Sequence, residues 1–428
     1  LALLLLFMMA AGILFQAVNG YYHFDPGLYL MEFYAGIFLF LVLLTLLAFF
    51  FQSVLNNKYV AHIVMAVFLV AGIVLLNLSG YSHPLYSFGG GFLPAYSEMN
   101  GYGSILKEYF WVKSYWLWFS FMLFVLASLF VARGTETGFK QRWQLLRERF
   151  TKPVATLISG AFILYLFSGS YIFYQTNILN DFLFPSEQKA YRAEYEKTLR
   201  KFEQLPQPNI TAVNLNVDLF PSERSFVAEG FFTLVNKHDQ PITEIHIQKA
   251  PSVDITLEWI RLGKTSVPDT VYGAFGYYIY TLDESLQPGD SVNMEFRQTF
   301  STQGFDTDSN SDIVYNGTFI NNNYLPTLGY HEDIELEDTK DREDHGLKPK
   351  ARRAGIDDPV ALRQGMSNDG EEIDFEMVLS TDNNQIAIAP GYLENQWTEG
   401  NRAFFYYKAD QPITNFYNIV SADYEIMK

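Results

Sequence analysis

The sequence predicts two unlike halves: a membrane α-helical bundle of about five spans, followed by an all-β, sandwich- or saddle-like antiparallel domain outside the cytoplasm. Three observations predict it. Apolar runs long enough to cross a hydrocarbon core, about twenty residues each, fall at residues 1–18, 28–55, 59–78, 111–132 and 154–174. Beyond Pro208 the hydrophobic period shortens to two, the repeat of a half-buried strand. Charge divides the same way: residues 1–176 hold nine Lys/Arg against six Asp/Glu, which leaves 21 against 41, a net −20, for the remainder of the 428 residues.

An acidic second half speaks against a nucleic-acid surface, because phosphate contacts require clustered Lys and Arg. The chain has no cysteine, which excludes disulfides, a thiol nucleophile, iron–sulfur clusters and cysteine zinc sites. The expected organisation is a transmembrane region at 1–176, a juxtamembrane helix and linker at 177–208, and a β-domain at 209–428. Leu1 already lies inside an apolar run, so the first span is expected to be clipped and the chain to be a fragment.

Orientation follows from the short loops. Arg133, Lys140, Arg142, Arg147, Arg149 and Lys152 crowd the connection between the fourth and fifth spans, which places it in the cytoplasm. Alternation then puts the Lys58 turn inside and everything after Thr176 on the other face, periplasmic in a bacterium. The basic connection reads as a topology determinant beside anionic lipid, which suffices to explain its charge. Glu32, near one end of the second span, is a functional candidate as an intramembrane carboxylate but at this depth reads rather as interfacial or simply paired. Gly89-Gly90-Gly91 lies between two spans with no following Lys-Ser/Thr, so it reads as a packed loop and not a nucleotide cradle. His83, with no second His nearby, reads as structural.

After the last span, Pro185 turns the chain and Ser186 can cap a helix whose apolar positions, Ala190, Tyr191, Tyr195, Leu199 and Phe202, recur at three- and four-residue steps. Leu205-Pro206-Gln207-Pro208 ends it. Val213, Leu215, Val217 and Leu219 then alternate with polar neighbours, and Pro221-Ser222-Glu223-Arg224 turns into residues 226–235, a hairpin. Further strands are expected at 242–247, 255–262, 277–282 and 292–300, the last entered through the turn Pro288-Gly289-Asp290; from Thr302 the pattern weakens into a polar stretch interrupted at 312–320 and 324–330, and strands return at 373–379, 385–389, 402–408 and 416–424. The charged stretch 332–372 is long for a structureless loop and is expected to be functional or partly helical.

Three stretches in this order carry a resemblance: ITAVNLNVDLFPSERSFVAEGFFTLVN, LQPGDSVNMEFRQTF, and DFEMVLSTDNNQIAIAPG with GNRAFFYYKADQPITNFYNIVSADYE. Together they resemble the N-terminal β-domain of aminopeptidase-N-like zinc metallopeptidases. The block HPLYSFGGGFLPAYSEMNGYGSILKEYFWVKSYWLWF, then ARGTETGFKQRWQLLRERF, is similar to the end of the permease region in bacterial fusion proteins that join a type 2 ABC-transporter permease to such a peptidase. The resemblance implies a multi-pass inner-membrane location and a bilayer as partner. It also implies a separate cytoplasmic ABC ATPase subunit, for which the basic connection at 133–152 would be one contact, a peptide substrate, and zinc in a domain downstream of Lys428.

The chain itself offers no catalytic, cofactor-binding or metal-ligating residues. Zinc enzymes of that superfamily use H-E-x-x-H on a helix. The nearest string, His331-Glu332-Asp333-Ile334-Glu335, has a carboxylate in fifth place and reads as a loop. Asp338, Asp341, Glu343, Asp344 and His345 lack calcium-loop spacing and are interleaved by Lys340, Arg342 and Lys348, so they read as a salt-bridged loop. A different class remains open: a non-enzymatic membrane receptor or assembly factor whose β ectodomain binds protein or glycan.

Overall fold

A computed structural model describes the chain except residues 56, 80–82, 132–138, 181, 253, 264–267, 306–311, 351–354, 356, 358–371 and 427–428. Its residues form two compact units. The first comprises Leu1–Tyr96, Ser104–Ser186 and Gly304–Ser309; the second comprises Ser97–Gly103, Glu187–Gln303 and Asn310–Lys428.

In the first unit the described helices are α1 (Ala2–Val18), α2 (Pro26–Leu30), α3 (Leu39–Leu55), α4 (Lys58–Ser79), α5 (Ile105–Phe130), α6 (Phe139–Arg149) and α7 (Lys152–Phe173). Asp25 caps α2 by accepting from the Gly27 and Leu28 amides. A π-helical stretch, Met31–Phe38, joins α2 to α3, and another, Tyr174–Ile178, extends α7. Four of the resulting helices are long and apolar enough to cross a membrane: Pro26–Leu55, Lys58–Leu76, Ile105–Phe130 and Lys152–Ile178. The expected first span is a shorter apolar helix of 17 residues. The fourth begins at Ile105, not at residue 111, because Lys107, Glu108 and Lys113 are carried within α5.

The core of this unit holds Leu43, Val112, Tyr115, Trp116 and Ile172. Tyr115 stacks on Tyr165 with ring centres 4.4 Å apart, their hydroxyls 2.6 Å apart. This close approach depends on Gly169, where a Cβ would lie 2.9 Å from the Tyr115 ring. Small residues let helices pack tightly in just this way.

The second unit holds α8 (Pro185–Leu199, all but its first two residues), α9 (Thr339–Asp344) and the strands β1 (Asn209–Phe220), β2 (Ser225–Val235), β3 (Ile242–Gln248), β4 (Ile255–Leu262), β5 (Tyr277–Leu286), β6 (Ser291–Ser301), β7 (Thr318–Asn321), β8 (Thr327–Leu328), β9 (Glu372–Asp382), β10 (Ile386–Ile388), β11 (Tyr392–Glu399), β12 (Arg402–Lys408), β13 (Ile413–Thr414) and β14 (Asn418–Ala422). The largest sheet runs β11-β12-β9-β1-β2-β6-β4, with β13 also on β9. Two three-stranded sheets, β10-β14-β7 and β5-β3-β8, complete it. Alternate residues of β1 (Val213, Leu215, Val217, Leu219), with Phe226, Phe232 and Leu234 of β2, Met294 and Phe296 of β6, and Phe375 and Met377 of β9, form the core.

The domain is not purely antiparallel, which corrects the expectation. β1 pairs with β9 in parallel, from Ala212 opposite Asp374 to Asp218 opposite Ser380. A parallel pair needs a crossover connection instead of a hairpin, so nothing local in the sequence marks it. The expected β1–β2 hairpin is present, its turn closed by Arg224 at φ 52°. Gly230 sits in β2 where a Cβ would lie 2.1 Å from the Asn214 carbonyl oxygen, so no other residue fits there. Of the two interruptions in the polar stretch, 312–320 leads into the short β7 and 324–330 holds β8, while β11 is a strand the alternation does not mark.

Candidate functional site

The densest set of buried polar groups in the second unit gathers where α8 meets the stretch 330–350. One face of α8 buries Ala193, Tyr195, Glu196 and Leu199, so the apolar stripe includes a carboxylate, while Ala190 and Tyr191 of the expected stripe are exposed. Glu196, 2% exposed, accepts from both Arg342 guanidinium nitrogens at 2.8 Å, and its Oε1 also accepts from Arg200 Nη1 at 2.7 Å. Arg342, 1% exposed, donates further to the Leu336 carbonyl at 2.6 Å and to the Lys348 carbonyl at 2.7 Å. A bidentate, fully bonded pair is the arrangement in which a buried charge is tolerated.

Glu335 extends the network. Its Oε1 accepts from the Tyr330 hydroxyl at 2.6 Å, and its Oε2 lies 3.4 Å from Lys350 Nζ and 3.8 Å from Arg342 Nη1. Burial first, then the hydrogen bond to Glu335, pushes the Tyr330 hydroxyl well above the usual phenol range. The Tyr330 ring stacks on Tyr195 at 5.2 Å, and the Tyr195 hydroxyl accepts from the His331 amide at 3.1 Å. Alongside, His246 is fully buried, with Nδ1 2.9 Å from the Tyr277 hydroxyl and Phe202 edge-on at 4.9 Å. Burial lowers the pKa of both His246 and His331.

The string His331 to Glu335 is therefore a one-turn 3-10 segment, Glu332–Ile334, inside a structural network. Glu335 is committed to Tyr330 and Lys350, and His331 and Glu335 are not presented from one helix face. These residues do not fit zinc. Among the described residues no three His, Asp or Glu side chains gather as metal ligands. Glu332 comes nearest to acid–base character: burial, and then Glu203 beside it, raise its carboxyl above the usual range.

The acidic loop also resolves into structural parts. Asp338 caps α9, accepting from the Lys340 and Asp341 amides at 2.9 and 3.0 Å, and Asp341 pairs with Lys189 at 2.7 Å. Arg342, one of the interleaving cations, is the hub of the buried network. Sequence reading missed it because a lone Arg in a run of mixed charge resembles a solvated one. The only hint was Glu196 in register with Leu199 and Tyr195 on α8.

In the first unit, the singled-out residues also have structural partners. His83 Nε2 lies 3.0 Å from Thr176 Oγ1 and 3.1 Å from Asn177 Oδ1. The Gly89 carbonyl accepts from the buried Lys113 at 2.7 Å, and Gly91 packs on Val112. Glu32 lies in the first π-helical stretch and is exposed. Of the basic connection, Arg142 is buried and donates to the Phe130 carbonyl at 2.9 and 3.2 Å and to the Val54 carbonyl at 3.0 Å. Arg149 reaches the Leu129 and Val131 carbonyls. Both satisfy orphan acceptors at helix C-termini. Arg133 lies outside the described residues.

No family model matches the sequence, and no curated protein matches it. Among solved structures, the chain is similar to the M1 zinc metallopeptidase from Deinococcus radiodurans, at 9% identity and a TM-score of 0.32, over 50% of this chain and 42% of that one. A mutant of that enzyme matches at 12% identity and 0.32 over the same shares. A two-domain M1 zinc metallopeptidase mutant bound to L-tryptophan matches at 11% and 0.31, again over 50% and 42%. The chain thus spans less than half the length of these structures.

Proposed function

We propose that the chain is the membrane-anchored, non-catalytic part of a bacterial inner-membrane protein that joins a type 2 ABC-transporter permease to a periplasmic aminopeptidase-N-like zinc peptidase. In this reading the helices of the first unit belong to an export pathway driven by a separate cytoplasmic ATPase. The second unit is the β-domain that precedes a zinc-bearing domain and bounds its peptide cleft.

One observation carries the reading. A single chain combines four helices long and apolar enough to cross a bilayer with a β-rich unit whose buried carboxylates, Glu196 and Glu335, are held by Arg342, Tyr330 and Lys350. In this reading the unit supports a neighbouring site, its buried carboxylates being committed to structural bonds. The ordered sequence blocks in both halves supply the rest of the support.

The test compares this chain with the product of its coding frame read past Lys428, both purified in detergent. The reading expects H-E-x-x-H downstream, and zinc and aminopeptidase activity in the longer product alone. Zinc or cleavage in the present chain would contradict it. A longer product with no zinc motif and no activity would move the assignment to a binding ectodomain.

A further inference from the structure

The outermost strand of the large sheet is built differently from the others. β11 pairs with β12 on one side and ends the strand order on the other. All eight of its residues are exposed, so it packs on neither face. Among the described residues, the backbone groups of alternate residues along its outer edge have no strand partner, which leaves a row of donors and acceptors. Edges of this kind are usually blunted by Lys, Pro or a bulge. Tyr392–Glu399 contains no Lys and no Pro, and its single bulge, between Leu393 and Asn395, leaves a regular register from Asn395 to Glu399.

The side chains state what kind of strand fits. Trp397, on the strand's outer face, stacks parallel to Phe404 of β12 with ring centres 5.2 Å apart and planes within 8°. That rigid apolar surface lies one strand-width from an incoming side chain. The strand's charged residues are Glu394, whose charge also acts on Lys408 of β12, and Glu399. The surrounding half of the chain is acidic, which repels a second copy and draws a cation.

We propose that β11 binds an extended, basic peptide segment, which adds to the sheet as a further strand. Its backbone would bond the free edge, an apolar residue would cover Trp397, and Lys or Arg residues to either side would meet Glu394 and Glu399. This goes beyond the transporter and peptidase reading and does not rest on it.

The test uses the full chain in phosphatidylcholine nanodiscs, a neutral lipid surface, with fluorescein-labelled decapeptides followed by anisotropy. One probe alternates Lys and Val, a second alternates Glu and Val, and a third is the Lys–Val probe N-methylated at every second amide. The proposal expects saturable binding of the first probe, at least tenfold weaker binding of the other two, and slowed amide exchange confined to residues 394–399. Trp397→Lys and the pair Glu394→Lys with Glu399→Lys should each weaken binding at least tenfold while leaving exchange in β1 and β2 unchanged. Binding indifferent to N-methylation, or protection elsewhere, would reduce the effect to diffuse charge attraction and overturn it. So would absence of binding, or dimers of the chain that Trp397→Lys abolishes.

Discussion

Two buried arginines show how differently the two units handle polar groups. Arg142, in the helical unit, pairs with no carboxylate among the described residues: it donates to main-chain carbonyls at the ends of α3 and α5. Arg342, in the β unit, grips Glu196 with both nitrogens and shares Glu335 with Lys350. In a helical bundle the unmet demand lies at helix termini, whose last carbonyls have no intrahelical donor. A β unit satisfies its backbone laterally, so its buried charges arise from side chains, here those that join α8 to α9 and the stretch 330–350. The first use of arginine completes secondary structure; the second fixes tertiary structure.

The largest effect should come from breaking the second kind. Glu196→Ala leaves Arg342 buried without its principal counter-charge, which costs about 3–5 kcal/mol, seen as an earlier urea midpoint for near-ultraviolet signals of the full chain in detergent. Combining Glu196→Leu with Arg342→Met should recover more than half of that loss, since apolar replacement of a whole pair is far cheaper than removing one partner. If the double variant were as damaged as the single, the carbonyl bonds of Arg342 would outweigh its ion pair.

Arg142→Ala should cost less, about 1–3 kcal/mol for buried carbonyls left without a donor, read as a lower melting temperature in detergent. Arg142→Lys should recover only part, because one ammonium cannot reproduce a planar fork that serves both the Phe130 and Val54 carbonyls. At α9, Asp338→Ala removes a side-chain cap and should cost about 1 kcal/mol, with faster amide exchange at Lys340 and Asp341 as the local signature.

Smaller still is the pH response of the helix–sheet contact in the β unit. His246 is held below 6.5 by burial, against a smaller opposing pull from Glu244 on its own strand; Tyr277 and Phe202 face it from the neighbouring elements. The unfolded chain takes up the proton first, so the contribution of His246 to stability is full above its unfolded pKa and falls as pH drops below it. His246→Gln should flatten that fall in urea midpoints measured between pH 7.5 and 5. An unchanged slope would assign the response elsewhere.

Much of this architecture is legible in the sequence because it is local. β4 and β12 run over the residues their alternation marks, and the β1–β2 hairpin follows from its apolar period and the turn at Pro221. What escaped was non-local or lacked a period. The parallel β1–β9 pair joins segments with a long intervening connection. β11 packs on neither face, so its residues, Tyr-Leu-Glu-Asn-Gln-Trp-Thr-Glu, carry no alternation. Arg342 was hidden by its charged neighbours, and Glu196 by the apolar stripe around it. The length of the second apolar run, by contrast, was readable, because the π-helical stretch Met31–Phe38 continues the same helix.

The proposed topology, with the Lys58 turn in the cytoplasm and the residues after Thr176 outside it, can be tested directly. The chain contains no cysteine, so single cysteines can be introduced without background. Ser222→Cys, in the exposed turn of the β1–β2 hairpin, and Asn57→Cys, in the turn before α4, test it in intact spheroplasts with a membrane-impermeant maleimide. The account predicts immediate labelling at residue 222 and labelling at residue 57 only after lysis. The reverse pattern, or equal labelling of both before lysis, would contradict it.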